Sequence, residues 1–168
     1  VPASIHIPLK DVSNSLNVSD LEKTISVTRR AMIEKFAILN PRIAVSGLNP
    51  HAGENGKFGQ EEITIISPLI DKLRAKKWIV TGPHPADTLF YKEARAKYDV
   101  AIAMYHDQAL IPVKTLDFDS SVNVTLGLPF VRTSPDHGPA LDIAGKAMAN
   151  PTSTIEALRL AARLSKPK

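Results

Sequence analysis

Cysteine is absent from the 168 residues. That excludes disulfides and thiolate metal sites, and it is compatible with a reducing cytoplasm, the location we expect. Long apolar runs are lacking as well: nothing approaches the ~20 residues of a membrane-spanning helix, and the first residues do not read as a secretory signal. A strong charge bias is missing too. The net charge is +4, and the Lys and Arg residues are scattered apart from Lys76-Lys77, which argues against a nucleic-acid groove. The chain has no repeat, low-complexity tract or flexible linker. Val1 stands where a methionine would begin a protein, and Ser4-Ile5-His6-Ile7-Pro8-Leu9 reads like an internal strand, so we expect residues before it.

What is present is 43% hydrophobic and 23% charged, the composition of one folded, domain-sized unit. Strand-like and helix-like segments alternate. A strand over about Ser4–Ile7 precedes a helix that starts in a capping box, Ser19 with Glu22, and runs to about Leu39. Leu21, Ile25, Met32, Ile33 and Phe36 supply its apolar side. Arg42–Gly47 reads as a buried strand, Asn49–Gly59 as a polar loop, and Gln60–Ala75 as a helix that Pro68 should kink or break. Trp78–Gly82 predicts a strand, Asp87–Lys97 a helix and Val100–Tyr105 a strand. Val122–Leu126 and Phe130–Arg132 predict two more strands. Two helices should close the chain, the last with Asn150 as cap and Pro151 at its first position. The alternation predicts an α/β fold, three layers (α/β/α) around a mostly parallel sheet.

In an open α/β sheet, ligands gather where strands hand over to loops at their carboxyl ends. Arg42–Gly47 delivers Asn49-Pro50-His51-Ala52-Gly53-Glu54, and Trp78–Gly82 delivers Pro83-His84-Pro85-Ala86-Asp87. Val100–Met104 delivers Tyr105-His106-Asp107-Gln108, and the first strand adds His6. A lone histidine is more often structural than a ligand. Several at corresponding strand ends point to a metal site, because three neutral imidazoles suit zinc and leave a position open for substrate. A carboxylate beside a metal orients a ligand histidine or takes a proton, which makes Asp107 and Asp87 catalytic candidates. For Asp87 a simple helix cap is the alternative. His84 is left without a role.

The words around these histidines, with Asn123-Val124-Thr125-Leu126-Gly127-Leu128-Pro129 and Arg132-Thr133-Ser134-Pro135-Asp136-His137-Gly138, strongly resemble the 4-hydroxythreonine-4-phosphate dehydrogenase (PdxA) family of vitamin B6 biosynthesis. The resemblance covers essentially the whole chain but about the second half of a family member, so an N-terminal half is expected to be missing. It implies a divalent metal held by His6, His51 and His106, at a homodimer interface with ligands from both subunits. It also implies substrate contacts at Lys114, Asn123 and Arg132, with Lys114 counted among the catalytic candidates. Cationic side chains suit phosphate and carboxylate groups, and an amide can donate or accept. Zinc, magnesium, cobalt and manganese all stay open as the metal.

A separate stretch, His137-Gly138-Pro139-Ala140-Leu141-Asp142-Ile143-Ala144-Gly145-Lys146 with Ala149-Asn150-Pro151, is similar to the adenosine-binding loop of isopropylmalate and isocitrate dehydrogenases. That likeness implies their fold, and NAD at His137, Asp142 and Asn150. A carboxylate such as Asp142 would bond a ribose hydroxyl and repel a 2′-phosphate, favouring NAD over NADP. Pro139 departs from the hydroxyl residue usual at its position, so one donor is expected to be absent. Both likenesses imply NAD-dependent, metal-assisted oxidation of a hydroxyl followed by decarboxylation, and the PdxA resemblance implies 4-hydroxythreonine 4-phosphate, oxidised at C3, as substrate and 3-amino-2-oxopropyl phosphate as product. Three alternatives stay open: oxidation of another four-carbon phosphorylated acid (threonate or erythronate phosphate), a non-catalytic metal-binding dimerisation half, and a metal-dependent hydrolase. Neither a nucleic acid nor a membrane is an expected partner.

Overall fold

The structure is a computed structural model and describes residues 1–166. The chain divides into two compact units, the first over Val1–Pro112 and the second over the residues that follow. Among the described residues no helix is long and apolar enough to cross a membrane.

In the first unit, β1 (Ile43–Ser46), β2 (Val80–His84) and β3 (Val100–Ile102) form a parallel sheet in the order β2-β1-β3. Ile43 pairs with Val80 on one side and with Val100 on the other. All four residues of β1 are buried, as expected of a central strand covered on both faces. The core joins Ile43, Val45, Val80, Ile102 and Met104 to Leu21 and Ile25 of α2 (Val18–Glu34) and to Leu69, Ile70 and Leu73 of α3 (Ser67–Ala75). This is the α/β architecture with a parallel sheet that the alternation implied. A short helix, α1 (Val12–Ser15), leads into α2.

Several boundaries differ from the sequence reading, each for a local reason. No strand forms over residues 4–7. Pairing occurs earlier, where Pro2 bridges Ala103, Ala3 N–H donates to Ala103 O (2.7 Å) and Ser4 N–H donates to Met104 O (3.2 Å). Beyond Met104 the partner chain segment turns into α5 (His106–Leu116), which leaves Ile5–Ile7 no edge to join. The capping box is not used: Asn17 caps α2, accepting Asp20 N–H at 2.9 Å. Glu22 instead binds Lys72 (2.7 Å) and Lys76 (3.0 Å), whose hydrogen bonds hold its carboxyl below the usual range. α2 ends before Ala37, a left-handed residue with φ of 62°.

Pro68 does mark a break: a π-helical turn, Glu62–Ile66, gives way there to α3. The helix expected over residues 87–97 shrinks to a turn, Ala86–Thr88, and α4 (Lys92–Arg95). Side chains take the carbonyls a longer helix would use, since Tyr98 Oη–H donates to Leu89 O (3.0 Å) and Arg95 Nε–H to Phe90 O (2.9 Å). α5 was not anticipated, because Pro112 lies inside it and a proline normally argues against a helix interior.

The second unit pairs β4 (Val122–Thr125) with β5 (Arg132–Pro135) antiparallel, so this part of the chain does not extend a parallel sheet. Of the two closing helices, the first reduces to a single turn, Leu141–Ile143, with Ala140 and Ala147 left-handed around it. The second, α6 (Thr152–Leu164), forms as expected apart from a one-residue shift: Pro151 takes the cap position, and Asn150 Oδ1 accepts Thr152 N–H at 3.0 Å. Ser153 Oγ–H donates to Ser121 O (2.6 Å) and Thr133 Oγ1–H to Ala157 O (2.8 Å), which fastens α6 to the hairpin.

Candidate metal and substrate site

The segment after β1 is not the loose polar loop its composition suggests. His51, Ala52, Gly53, Glu54 and Asn55 all have positive φ (54°, 51°, 80°, 41° and 56°), making one left-handed turn. Each L-residue there costs about 1–2 kcal/mol, so surrounding contacts must impose the conformation. Glu62, 3% exposed, supplies them. Its Oε1 accepts Leu48 N–H (2.7 Å) and Asn49 N–H (2.8 Å), and its Oε2 accepts a proton of Asn49 Nδ2 (2.9 Å). Gly53 lies directly against this carboxylate, where a Cβ would come within 2.6 Å of Oε2. His51 is therefore presented to solvent from a rigid turn, with its ring 6.0 Å from that of Phe58.

His106 opens α5 just past the end of β3, and the His6 ring lies 5.8 Å from the His106 ring. Two imidazole nitrogens each about 2.0–2.1 Å from one ion put their ring centres roughly 5–6 Å apart. His106 Nδ1 is 2.7 Å from Asp107 Oδ1. A carboxylate only accepts, so Nδ1 is the donor, and in the neutral imidazole Nε2 is then the nitrogen with a lone pair to offer, the arrangement of a ligand histidine braced by a carboxylate. The donor set fits a divalent cation in chemistry, tautomer and separation. Among the described residues, however, no three such groups lie together closely enough to hold a metal within one chain. The structure thus brings His6 and His106 together and does not bring His51 to them.

Asp87 lies exposed in the Ala86–Thr88 turn and caps no helix, since α4 starts after Tyr91. That removes its bland alternative. His84 ends β2 with Nε2 2.8 Å from Thr81 Oγ1. Burial, and then the charge of Arg74, lowers its pKa, which keeps the ring neutral near pH 7.

In the second unit Asn123 pairs with Ser134, and Thr125 with Arg132. Residues two apart on a strand share a face, so Asn123 and Arg132 project from the same side of the hairpin. Both are exposed, and Arg132 Nη1 donates to Thr125 Oγ1 at 2.6 Å. Lys114, in the last turn of α5, donates to Asp136 O (2.8 Å), lies 3.8 Å from Asp136 Oδ2 and sits 5.4 Å from the Phe118 ring centre. His137 and Asp142 are exposed, with His137 Nδ1–H donating to Gly138 O at 2.9 Å. Asn150 has structural work of its own, as it donates to Asp119 Oδ1 (3.2 Å) besides starting α6.

Two residues that shape the site went unassigned in the sequence. Gln108 ends the Tyr105-His106-Asp107-Gln108 stretch but has no charge or metal affinity to single it out. Glu62 looked like one more helical carboxylate; its apolar neighbours Ile63, Ile65 and Ile66 were the available signal that this stretch is covered.

The family model described as "Pyridoxal phosphate biosynthetic protein PdxA" matches residues 1–161. A 4-hydroxythreonine-4-phosphate dehydrogenase of Ruegeria sp. is 61% identical over 168 residues, covering 100% of this chain and 52% of that protein. Its counterpart from Roseobacter denitrificans is 59% identical over 98% of this chain and 51% of its own length. The chain thus spans about half the length of these curated relatives. Among solved structures, the Klebsiella pneumoniae 4-hydroxythreonine-4-phosphate dehydrogenase superposes with a TM-score of 0.87 at 43% identity, over 98% of this chain and 50% of that one. A terephthalate 1,2-cis-dihydrodiol dehydrogenase from Burkholderia xenovorans superposes with a TM-score of 0.77 at 34% identity, over 97% and 52%.

Proposed function

Because the chain belongs to the PdxA family, we propose that it carries the metal-, substrate- and NAD-binding residues of a 4-hydroxythreonine-4-phosphate dehydrogenase acting in pyridoxal phosphate biosynthesis. The observation that carries the reading is the His6–His106 pair, 5.8 Å apart and braced by Asp107 at 2.7 Å. His51 completes the set from a second copy of the chain, so the working site lies at a homodimer interface. A divalent cation bound there, zinc in the first instance, supplies Lewis acidity that lowers the pKa of the substrate's C3 hydroxyl.

The chain's own residues do the rest. Lys114 and Arg132 bind the phosphate and carboxylate of the substrate, and Asn123 hydrogen-bonds its polar backbone from the Arg132 side of the hairpin. His137, Asp142 and Asn150 hold the adenosine part of NAD. Asp107 is engaged in holding His106, so of the two candidate carboxylates Asp87 is the one we assign to receive the hydroxyl proton. NAD held there would supply the hydride acceptor, taking the C3 hydrogen with its electron pair and leaving a 3-keto acid. The bond from C2 to the carboxylate then breaks, carbon dioxide leaves, and the electron pair remains as an enolate that is protonated at C2.

The test follows NAD reduction with 4-hydroxythreonine 4-phosphate against threonate and erythronate phosphates. The first is expected to win by about tenfold or more in kcat/KM, and chelation of the metal should abolish turnover. The Burkholderia neighbour, named for a dihydrodiol, favours a second reading in which this half accepts other hydroxyl substrates. Comparable or faster oxidation of an unphosphorylated diol would establish it. Metal binding without NAD reduction by any substrate would instead mark a non-catalytic dimerisation half.

A further inference from the structure

One uncharged side chain joins the His51- and His106-bearing segments directly and reaches the His6-bearing segment through Met104. Gln108, in the first turn of α5, folds back toward the ends of β1 and β3. Its Oε1 accepts Ser46 Oγ–H (2.7 Å) and Met104 N–H (2.7 Å), and its Nε2 donates to Gly47 O (2.9 Å). Two donors face the oxygen and a carbonyl faces the nitrogen, so only one orientation of the amide satisfies the three bonds. Ser46 and Met104 are both fully buried.

Each tie lies a few residues from a histidine. Met104 precedes His106 by two residues, and its carbonyl accepts Ser4 N–H (3.2 Å) and Ser4 Oγ–H (2.8 Å), two residues before His6. Gly47 leads directly into Leu48 and Asn49, whose amides Glu62 holds at the root of the His51 turn. We infer that Gln108 is a positioning residue: by locking the ends of β1 and β3 to each other, next to the point where Ser4 bonds Met104 O, it sets the directions in which His51 and His106, and through Met104 His6, are presented. The inference rests on the metal reading above for its functional consequence, but the geometric lock stands independently of it.

The test compares Gln108→Met, which keeps the volume and removes the hydrogen bonds, with Leu73→Ala, a core truncation in α3 that takes part in none of these hydrogen bonds and serves as a control for lost stability. Zn²⁺ and Co²⁺ are titrated calorimetrically, and amide hydrogen exchange is followed in the metal-free protein. Gln108→Met is expected to weaken metal binding by about 10–100-fold and to speed exchange at Ser4, Leu48 and Asn49. Leu73→Ala should lower Tm yet leave metal affinity within about twofold. Equal weakening by both variants, or unchanged affinity and exchange in Gln108→Met, overturns the proposal. Should Gln108→Met fail to fold, Ser46→Ala removes one of the three bonds and should move the same readouts in the same direction by a smaller factor; no movement there is equally fatal. If the unmodified protein binds neither cation, the metal reading falls, and exchange at Ser4, Leu48 and Asn49 still decides whether Gln108 is the lock.

Discussion

Replacing His51 by alanine is expected to weaken divalent-metal binding on the order of 10³-fold and to remove turnover with it, because outer-sphere partners alone are worth 10–100-fold and a direct ligand contributes more. His106→Ala should match it. Asp107→Asn, which keeps the shape but gives up the charge that fixes the His106 tautomer, should cost only about 10–100-fold. The more informative experiment mixes the two alanine variants. Within one chain His6 and His106 face each other at 5.8 Å, and no third ligand joins them among the described residues. If His51 comes from a partner subunit, a heterodimer of His51→Ala with His106→Ala holds one intact site and one doubly broken site. Random reassortment then makes half the dimers mixed, and about a quarter of the original metal sites and activity should return. No recovery after subunit exchange, with dimers confirmed, would place all three ligands on one chain and overturn the shared site. Full metal retention by His51→Ala alone would overturn the triad.

The parts of this site that could be read from the sequence are those whose chemistry is local. His51 and His106 follow short, strongly apolar strands, so their placement at strand ends needed only period and composition. The class of fold followed for the same reason, since β1 is buried at every position. What could not be read depends on contacts between segments distant in sequence. The left-handed turn at residues 51–55 has four non-glycine residues, each of which locally prefers another conformation; it exists because a carboxylate from residue 62 lies behind it. The expected strand at residues 4–7 failed because its partner edge ended at Met104, a fact of β3 and not of residues 4–7. α5 escaped notice because a proline inside a helix outweighs, locally, the apolar residues around it.

Glu62 is where the second large effect is expected. Glu62→Leu removes the acceptor for Leu48 N–H and Asn49 N–H and one of the two acceptors of Asn49 Nδ2, which keeps Glu61 Oε2 at 2.8 Å, and an apolar side chain of similar size prevents water from replacing it. A buried donor left without a partner costs about 1–3 kcal/mol, and the two left so here are main-chain groups that cannot turn away. Relief from burying a carboxylate offsets part of this. The net loss is expected at about 3–5 kcal/mol, which for a chain of this size lowers Tm by roughly 10 °C or more. Glu62→Gln is the discriminating companion. It preserves the oxygen that serves Leu48 and Asn49, but sets an amide NH₂ against Asn49 Nδ2, donor facing donor, so about 1–2 kcal/mol should be lost. Gly53→Ala approaches the same carboxylate from the other side, adding a methyl 2.6 Å from Oε2 at a residue with φ of 80°, and should resemble Glu62→Leu. Denaturant unfolding of the three variants orders them. If Glu62→Leu unfolds within about 1 kcal/mol of the parent, this carboxylate does not hold the turn. If the order is as expected, metal affinity should fall in the same sequence, because the strained turn that presents His51 relaxes once the anchor beneath it is gone.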